Sequence, residues 1–444
     1  MLIEIIFTSI IILAQLAILL ISIHTRKKQY ALQLYVNIVF ICFIGILGLT
    51  KLIDLDLRIL PLFLVLLIQS IWNGIDLCKK TYIPIQRKKR YMMLRILRII
   101  GFIIVSLPFL IFPYYKQILP SGSMKVRTTT ITWKNDATIQ SHIHASKASK
   151  TITAQFWYPK TKHDKEEVGK TGVTYPLVVF SHGFSMFRNS NLSLFEELAS
   201  NGYIVCSIDL DYESLWSVQE NGKIIFQNLD ELKDINAATT DESSYKVCEK
   251  WNEIRANDLN YAIDHIVSKA DAKNSEEIFH KIDTKEIAMV GHSFGGASAV
   301  TVGRENNLVK AAVDMDGTAF GEIKEITKKT ITEDTTPYPK PILMMFSQPH
   351  YEIIPKFEKI YGDTYPNKVI LEHAKDGYSA DIKGSDHFSF SDMHINAPIA
   401  AFVSGGTQTR DSRTTIKVIN HTIEQFLDKY LKGKPINIQK DAIY

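Results

Sequence analysis

Residues 286–296 read EIAMVGHSFGG, a short apolar run from Ile287 to Val290 that passes directly into Gly291-His292-Ser293-Phe294-Gly295-Gly296. A G-x-S-x-G sequence carries weight only between a buried strand and a helix, and the flanking residues supply that setting. In such a turn the serine is forced into a strained conformation, and the flanking glycines remove side chains that would collide with neighbouring backbone. The hydroxyl of Ser293 is then presented at the carboxyl edge of a sheet, where α/β folds bind ligands.

Working outward from this turn, the runs TITAQFWYP (151–159), YPLVVFSHG (175–183), YIVCSIDL (203–210), KAAVDMDG (310–317) and PILMMFSQ (341–348) read as further strands. Between them SLFEELASNG (193–202) is a helix stopped by glycine, EIRANDLNYAIDHIVSKA (253–270) an amphipathic helix, and TIKVINHTIEQFLDKYLKG (415–433) a closing helix. Strands that are nearly continuous in apolar residues are buried on both faces, so the expected fold is α/β, a mostly parallel sheet flanked by helices. The polar segment 211–250 interrupts the alternation and reads as a lid or pocket wall, or as a surface excursion.

A serine hydroxyl becomes a useful nucleophile when a base removes its proton and an acid orients the base. In this kind of turn the partners follow in the order Ser, Asp or Glu, then His. Asp316, before Gly317, suits an acid at the tip of the next strand; Asp314 is the rival, two residues deeper on the same side. For the base, KGSDHFSFSD (383–392) places His387 in a polar loop. His373, read at a strand end, and His394 are the weaker alternatives. The backbone N–H of Phe294 is one expected donor to an oxyanion, and that of Phe184, after LVVFSHG, the other. Trp216, Phe184, Met186 and Phe388 are candidates for the pocket lining or plain core.

Residues 1–115 have a different composition. They hold 13 Lys and Arg against 4 Asp and Glu, a net of +9, whereas the remainder holds 38 against 43, a net of −5. Apolar stretches of bilayer length fall at about 2–23, 31–50, 59–77 and 96–115, predicting four transmembrane helices. The first lacks the basic leader and cleavage site of a signal peptide. Arg26, Lys27 and Lys28 follow the first span, and Lys79, Lys80, Arg87, Lys88, Lys89 and Arg90 lie between the third and fourth. The connector between the second and third has only Lys51 and Arg58 beside Asp54 and Asp56. Basic connectors stay in the cytoplasm, so the N-terminus and the 151–444 domain are expected on the extracytoplasmic side of a cell membrane. The domain reading is a membrane region at 1–115, a connector with the first strands at 116–150 and an α/β domain at 151–444. Asn73 and Asp76 sit near a membrane face, where polar residues are common.

The acidic balance of the α/β region, without a basic stripe, argues against a nucleic-acid partner. Cys42, Cys78, Cys206 and Cys248 form neither a CxxC pair nor a disulfide-dense pattern. Cys206, inside YIVCSIDL, reads as a core thiol. No cofactor or metal is expected.

Taken together, FSHGFSMFR (180–188) with LASNGYIV (198–205), IAMVGHSFGG (287–296), AAVDMDG (311–317) and GSDHFSFSD (384–392) resemble the plasma-type platelet-activating factor acetylhydrolase family of α/β-hydrolases. The resemblance runs from about 150 to 430. It implies a metal-free esterase with Ser293, Asp316 and His387 as triad and Phe184 and Phe294 as oxyanion donors, acting on short-acyl esters such as phospholipids of the platelet-activating factor type. Departures are the four N-terminal spans, Gly317 where a tryptophan often follows the acid, and the segment 211–250. A general carboxylesterase, acyl transferase or polyester hydrolase is the alternative within the same chemistry. A ligand-binding membrane sensor is the alternative outside it, and retention of all triad and oxyanion positions argues against it. A transport path through the spans has no inverted repeat or midplane charge pair to support it.

Overall fold

The computed structural model describes all residues except 1, 51–57, 80–87, 114, 136–150, 161–172, 212, 228, 328–330 and 363. Lys51, Asp54, Asp56, Lys80 and Arg87, used above to orient the spans, lie outside the described residues. The chain divides into two compact units, one formed by 1–116 with 393–405 and the other by 117–392 with 406–444.

The first unit holds α1 (Leu2–Thr25), α2 (Tyr30–Leu49), α3 (Leu60–Cys78) and α4 (Lys88–Ile111), together with two short helices at Met393–Asn396 and Pro398–Val403. Each long helix contains a 19- or 20-residue stretch long and apolar enough to cross a bilayer. The fourth stretch is Lys89–Pro108, earlier than the 96–115 expected. The basic residues at its start continue the helix, and α4 stops ahead of Pro113, which disfavours helical backbone before it. Phe7, Ile11, Phe40, Ile44, Leu62, Leu66 and Phe102 pack in the interior. Beside them Gln33 Nε2 donates to Gln15 Oε1 at 2.9 Å and to Asn37 Oδ1 at 3.0 Å. Arg95 Nη1 donates to Gln33 Oε1 at 2.6 Å, and its Nε to the Tyr91 hydroxyl at 3.0 Å. All of Gln15, Gln33, Asn37 and Arg95 are buried, whereas Leu13, Leu20, Leu49 and Trp72 are exposed.

In the second unit β1 (Val126–Lys134), β2 (Thr151–Pro159), β3 (Tyr175–Ser181), α5 (Leu192–Ser200) and β4 (Ile204–Leu210) come first. The hairpin β5 (Trp216–Val218) and β6 (Ile224–Phe226), α6 (Asp230–Ala237) and α7 (Asp241–Asp271) follow. Then come β7 (Ile282–His292), α8 (Phe294–Glu305), β8 (Val309–Met315), the hairpin β9 (Ile323–Ile326) and β10 (Ile331–Glu333), and β11 (Ile342–Ser347). The chain ends with α9 (Gln348–Tyr361), α10 (Pro366–His373), β12 (Gly377–Ile382), α11 (Ser412–Leu431) and β13 (Asp441–Ile443).

Among the described residues, nine strands form one sheet in the order β1-β2-β4-β3-β7-β8-β11-β12-β13. The pairs made by β2 are antiparallel and every pair from β4–β3 to β12–β13 is parallel. Alternation along β3 shows why its sequence is apolar throughout. Val178 and Phe180 pack with Phe195 and Leu198 of α5 and Ile423 and Phe426 of α11, whereas Leu177 and Val179 pack with Leu259, Ile263 and Ile266 of α7. Cys206, in β4, is buried on the second of these faces.

Two sequence expectations change, and one strand carries no sequence signal of its kind. His373 closes the helix α10 instead of ending a strand. The strand beyond β11 is β12, whose buried Tyr378, Ala380 and Ile382 alternate with half-exposed residues and so lack the continuous apolar run of a central strand. The interruption at 211–250 contains the β5–β6 hairpin, α6 and the start of α7, which begins at Asp241 and not at 253. A capping box starts α7: the Thr240 side chain accepts from Ser243 N at 3.1 Å, and Ser243 Oγ accepts from Thr240 N at 2.9 Å.

Candidate active site

The carboxyl ends of the parallel strands bring the chemistry together. β7 ends at His292, and Ser293 follows with φ 58° and ψ −124°, outside the regions that L-residues normally occupy. A side chain at Gly291 would lie 2.0 Å from Gly295 O, and one at Gly295 would lie 2.1 Å from Ser181 O. These two positions let the turn close on itself and on the end of β3. Ser293 N donates to Met315 O at 2.9 Å, tying the turn to the end of β8.

Asp316 follows β8 with φ 62° and donates its N–H to Met345 O at 2.9 Å. Its Oδ2 accepts from His387 Nδ1 at 2.7 Å, and His387 Nε2 lies 2.8 Å from Ser293 Oγ. An ionised carboxylate only accepts, so Nδ1 of His387 carries the proton and Nε2 accepts the hydrogen bond from Ser293 Oγ. Burial pushes the Asp316 carboxyl upward, but hydrogen bonds from His350 and His387 outweigh it and hold the group well below the usual carboxylate range.

Asp314 does something else. Its Oδ1 accepts from Gly317 N at 2.8 Å and its Oδ2 from Asn367 Nδ2 at 3.0 Å, which shapes the turn carrying Asp316. Burial pushes its carboxyl up to about 7. His387 is held from its own loop: Asp386 accepts from Ser389 N at 3.0 Å and from Thr407 N and Gln408 N at 2.6 and 2.8 Å. His394 lies on a short helix of the other unit.

A cavity of about 280 Å³ opens beside Ser293 and His387, with Phe184, Trp251, Phe294 and Phe320 among its walls. Ile235, Val247 and Cys248 extend it, so α6 and the start of α7 form part of the wall. Of the four pocket candidates read from sequence, Phe184 is there. Trp216 instead stacks on Phe187 at 4.6 Å, and Met186 and Phe388 are not among the lining residues.

Sequence reading passed over several residues around this centre. His292 Nε2 donates to the carbonyl of His387 at 3.0 Å, bracing the histidine loop against the serine turn. Arg255, buried in α7, pairs with buried Glu213, donates from Nη1 to His182 O at 2.8 Å and lies 4.7 Å over the Phe294 ring. One guanidinium thus touches the segments bearing both Phe184 and Phe294. Its partner is 42 positions away, and within an amphipathic helix an arginine reads as solvent-facing. His350, on the first turn of α9, donates from Nδ1 to Asp316 Oδ1 at 3.0 Å. Among the described residues no group of three or more His, Cys, Asp or Glu has the arrangement of a metal site.

Residues 137–443 match the family described as platelet-activating factor acetylhydrolase, isoform II. The chain belongs to that family. Relatives in it include the platelet-activating factor acetylhydrolase of Canis lupus familiaris, 28% identical over 279 residues covering 59% of this chain and 58% of the relative. That of Cavia porcellus is 26% identical over 285 residues, covering 59% of each. The chain therefore spans less than two thirds of the length of these relatives. A solved ferulic acid esterase from Streptomyces cinnamoneus superposes with a TM-score of 0.53 at 23% identity, covering 71% of this chain and 93% of that one. The likeness is one of fold, and the fold of this family member is that of the α/β-hydrolases.

Proposed function

We propose that this chain is a membrane-anchored serine esterase that hydrolyses short-acyl carboxylic esters, including phospholipids of the platelet-activating factor type. The observation that carries the reading is the unbroken hydrogen-bonded series Ser293–His387–Asp316 at the wall of a cavity. As Ser293 Oγ attacks the ester carbonyl, its proton passes to His387 Nε2, and the imidazolium is stabilised by Asp316. The carbonyl oxygen becomes an oxyanion received by the N–H groups of Phe184 and Phe294. Collapse expels the alcohol, which takes the proton from His387, and water releases the acyl group by the same steps in reverse order. Backbone donors supply the electrophile, so no metal is required.

The short-acyl preference draws support from the family and from a cavity at the small end of the range for ligand sites, walled by aromatic rings. Basic connectors after the first and third spans support placing the catalytic unit outside the cytoplasm. The test uses the full chain in membranes. Ser293→Ala should abolish fluorophosphonate labelling and lower turnover by about 10⁴- to 10⁶-fold; near-normal turnover would sink the reading. An acyl-length series on phospholipid and nitrophenyl esters with chelator present should favour short chains, and a long-chain preference or chelator sensitivity would refute that part. Protease added to intact right-side-out spheroplasts should remove the catalytic unit, and full protection there would reverse the orientation.

A further inference from the structure

Asp316 accepts from two imidazoles. Oδ2 takes the bond from His387, while Oδ1 takes bonds from His350 Nδ1 at 3.0 Å and from Ser347 N at 2.6 Å. Because the carboxylate is an acceptor only, Nδ1 of each ring is protonated, and the state of His350 is decided at Nε2. That atom lies 2.8 Å from the Tyr365 hydroxyl, which lies 2.9 Å from Thr318 Oγ1. Thr318 in turn lines the cavity beside Ser293.

Two hydroxyls in series accommodate either state of the ring. With His350 neutral, the Tyr365 hydroxyl donates to Nε2. With His350 protonated by a proton taken from solvent, Nε2–H donates to Tyr365 Oη, whose own proton turns to Thr318 Oγ1. Neither state leaves a buried group without a partner, which is the condition for a buried imidazole to change charge at low cost.

We propose that His350 is a positioning residue that shares the Asp316 carboxylate with His387 and takes up the proton that would otherwise disable the base in mildly acidic solution. The proposal rests on the reading of Ser293, His387 and Asp316 as the triad. When one carboxylate serves two imidazoles, the first proton added to the cluster is held by the pair. If it resides on His350, it repels a second proton from His387 and leaves Nε2 of His387 open to the serine.

The surroundings of His350 favour that placement. It faces Asp316 and Asp314 at the end of β8, Asp381 of β12 and the Tyr365 hydroxyl ahead of α10, and its ring lies perpendicular to that of Phe346 of β11 with centroids 5.2 Å apart. Burial disfavours its cation, but the hydrogen bond and charge of Asp316, aided by the charges of Asp314 and Asp381, raise its proton affinity above the ordinary value. Burial pushes Asp314 up to about 7 and Asp381 up to about 6, so in mild acid Asp316 remains the principal counter-charge. The Asp316 contact offsets the greater burial of His350, which has 11% of its side chain exposed against 42% for His387.

The experiment measures kcat/KM for p-nitrophenyl acetate from about pH 4.5 to about pH 9 on the full chain in membranes, for the native protein, His350→Gln and Tyr365→Phe. The acid limb of His350→Gln should move up by about one pH unit, so that the ratio of its rate near pH 5 to its rate near pH 8 falls about tenfold. Tyr365→Phe keeps the bond to Asp316 but removes the partner of the cation, and its acid limb should move in the same direction by a smaller amount. If the acid limbs of both variants superimpose on the native one, or if both lose rate by the same factor at every pH, His350 is only structural and the proposal fails. Ser293→Ala assayed on the same substrate separates the layers. Retained turnover overturns the triad and this proposal together, whereas abolished turnover with unshifted acid limbs overturns this proposal alone.

Discussion

In the helical unit the side chains hidden from the surroundings include Gln15, Gln33, Asn37 and Arg95, and those turned outward include Leu13, Leu20, Leu49 and Trp72. In the α/β unit Leu177, Val178, Val179 and Phe180 are hidden on both faces of β3, and polar groups collect at the ends of the strands. The four long helices are apolar enough to cross a bilayer, and in hydrocarbon an amide would gain most by finding another amide inside the bundle, whereas in water the gain comes from removing apolar surface. Buried charge in the α/β unit is held by partners, as Arg304 holds Glu322 and Tyr203 holds Asp428, and part of it positions groups around Ser293.

The comparison breaks most visibly at the acid. Asp316→Asn should lower kcat by about 10⁴-fold, because an amide that keeps its oxygen toward Ser347 N and His350 presents N–H to His387 and imposes the wrong tautomer. Asp314→Asn keeps an acceptor for Gly317 N and should stay within about tenfold of native turnover. Equal loss in the two variants, measured as steady-state rate on soluble esters, would remove the distinction between them.

Next is the Arg255–Glu213 pair, which has the burial of a core contact and the charge of a site. Arg255→Met leaves a buried carboxylate unpaired and should cost about 3–5 kcal/mol of stability. The double change Arg255→Met with Glu213→Leu should recover most of that stability without restoring kcat, since the clamp on His182 O and Phe294 is gone. Denaturant titration alongside kinetics checks both halves, and recovery of kcat in the double variant would show that the pair serves stability alone.

Protonation supplies a third test. Burial depresses His182 and His292 from the ordinary 6.5 to about 3, so the unfolded chain binds more protons than the folded one below pH 6.5. Their contribution is complete above pH 6.5 and is lost as pH falls toward 3, at up to about 1.4 kcal/mol per pH unit for each histidine. Asp314 runs the other way: its folded value near 7 lies above the ordinary 3.8, so its penalty is relieved as pH falls between them. Burial pushes Asp381 and Asp392 up to about 6, and they run the same way as Asp314, so the histidine share is read as a difference: between pH 6.5 and 3 the urea midpoint of His292→Gln should fall less steeply, or rise more steeply, with acid than that of the native protein.

The smallest effect belongs to the bundle. Gln33→Leu removes the acceptor of Arg95 and the donor to Gln15 and Asn37, and should destabilise the helical unit by only about 1 kcal/mol. Partial unfolding in detergent, compared with native protein at matched lipid content, measures it. A loss of several kcal/mol would mean that the polar interior is worth as much in lipid as buried ion pairs are in water.

Local signals in the sequence determined a good deal. Four stretches of bilayer length, the strand-glycine-serine-glycine turn at 286–296 and the chain order Ser293, Asp316, His387 are properties of short windows or of order alone, and each survives in the folded chain as a helix, a strained turn or a hydrogen-bonded neighbour. The tertiary structure alone decided which carboxylate reaches His387: Asp314, inside β8, is taken by Gly317 N and Asn367 of α10, whereas Asp316, just past β8 with φ 62°, meets the end of β11 and the His387 loop. It also decided that Arg255 pairs with Glu213 across 42 positions, that α6 and α7 wall the cavity, and that His350 lies on Asp316. Each of these contacts joins segments far apart in the chain, and their partners become neighbours only when sheet order and the packing of helices against it bring them together.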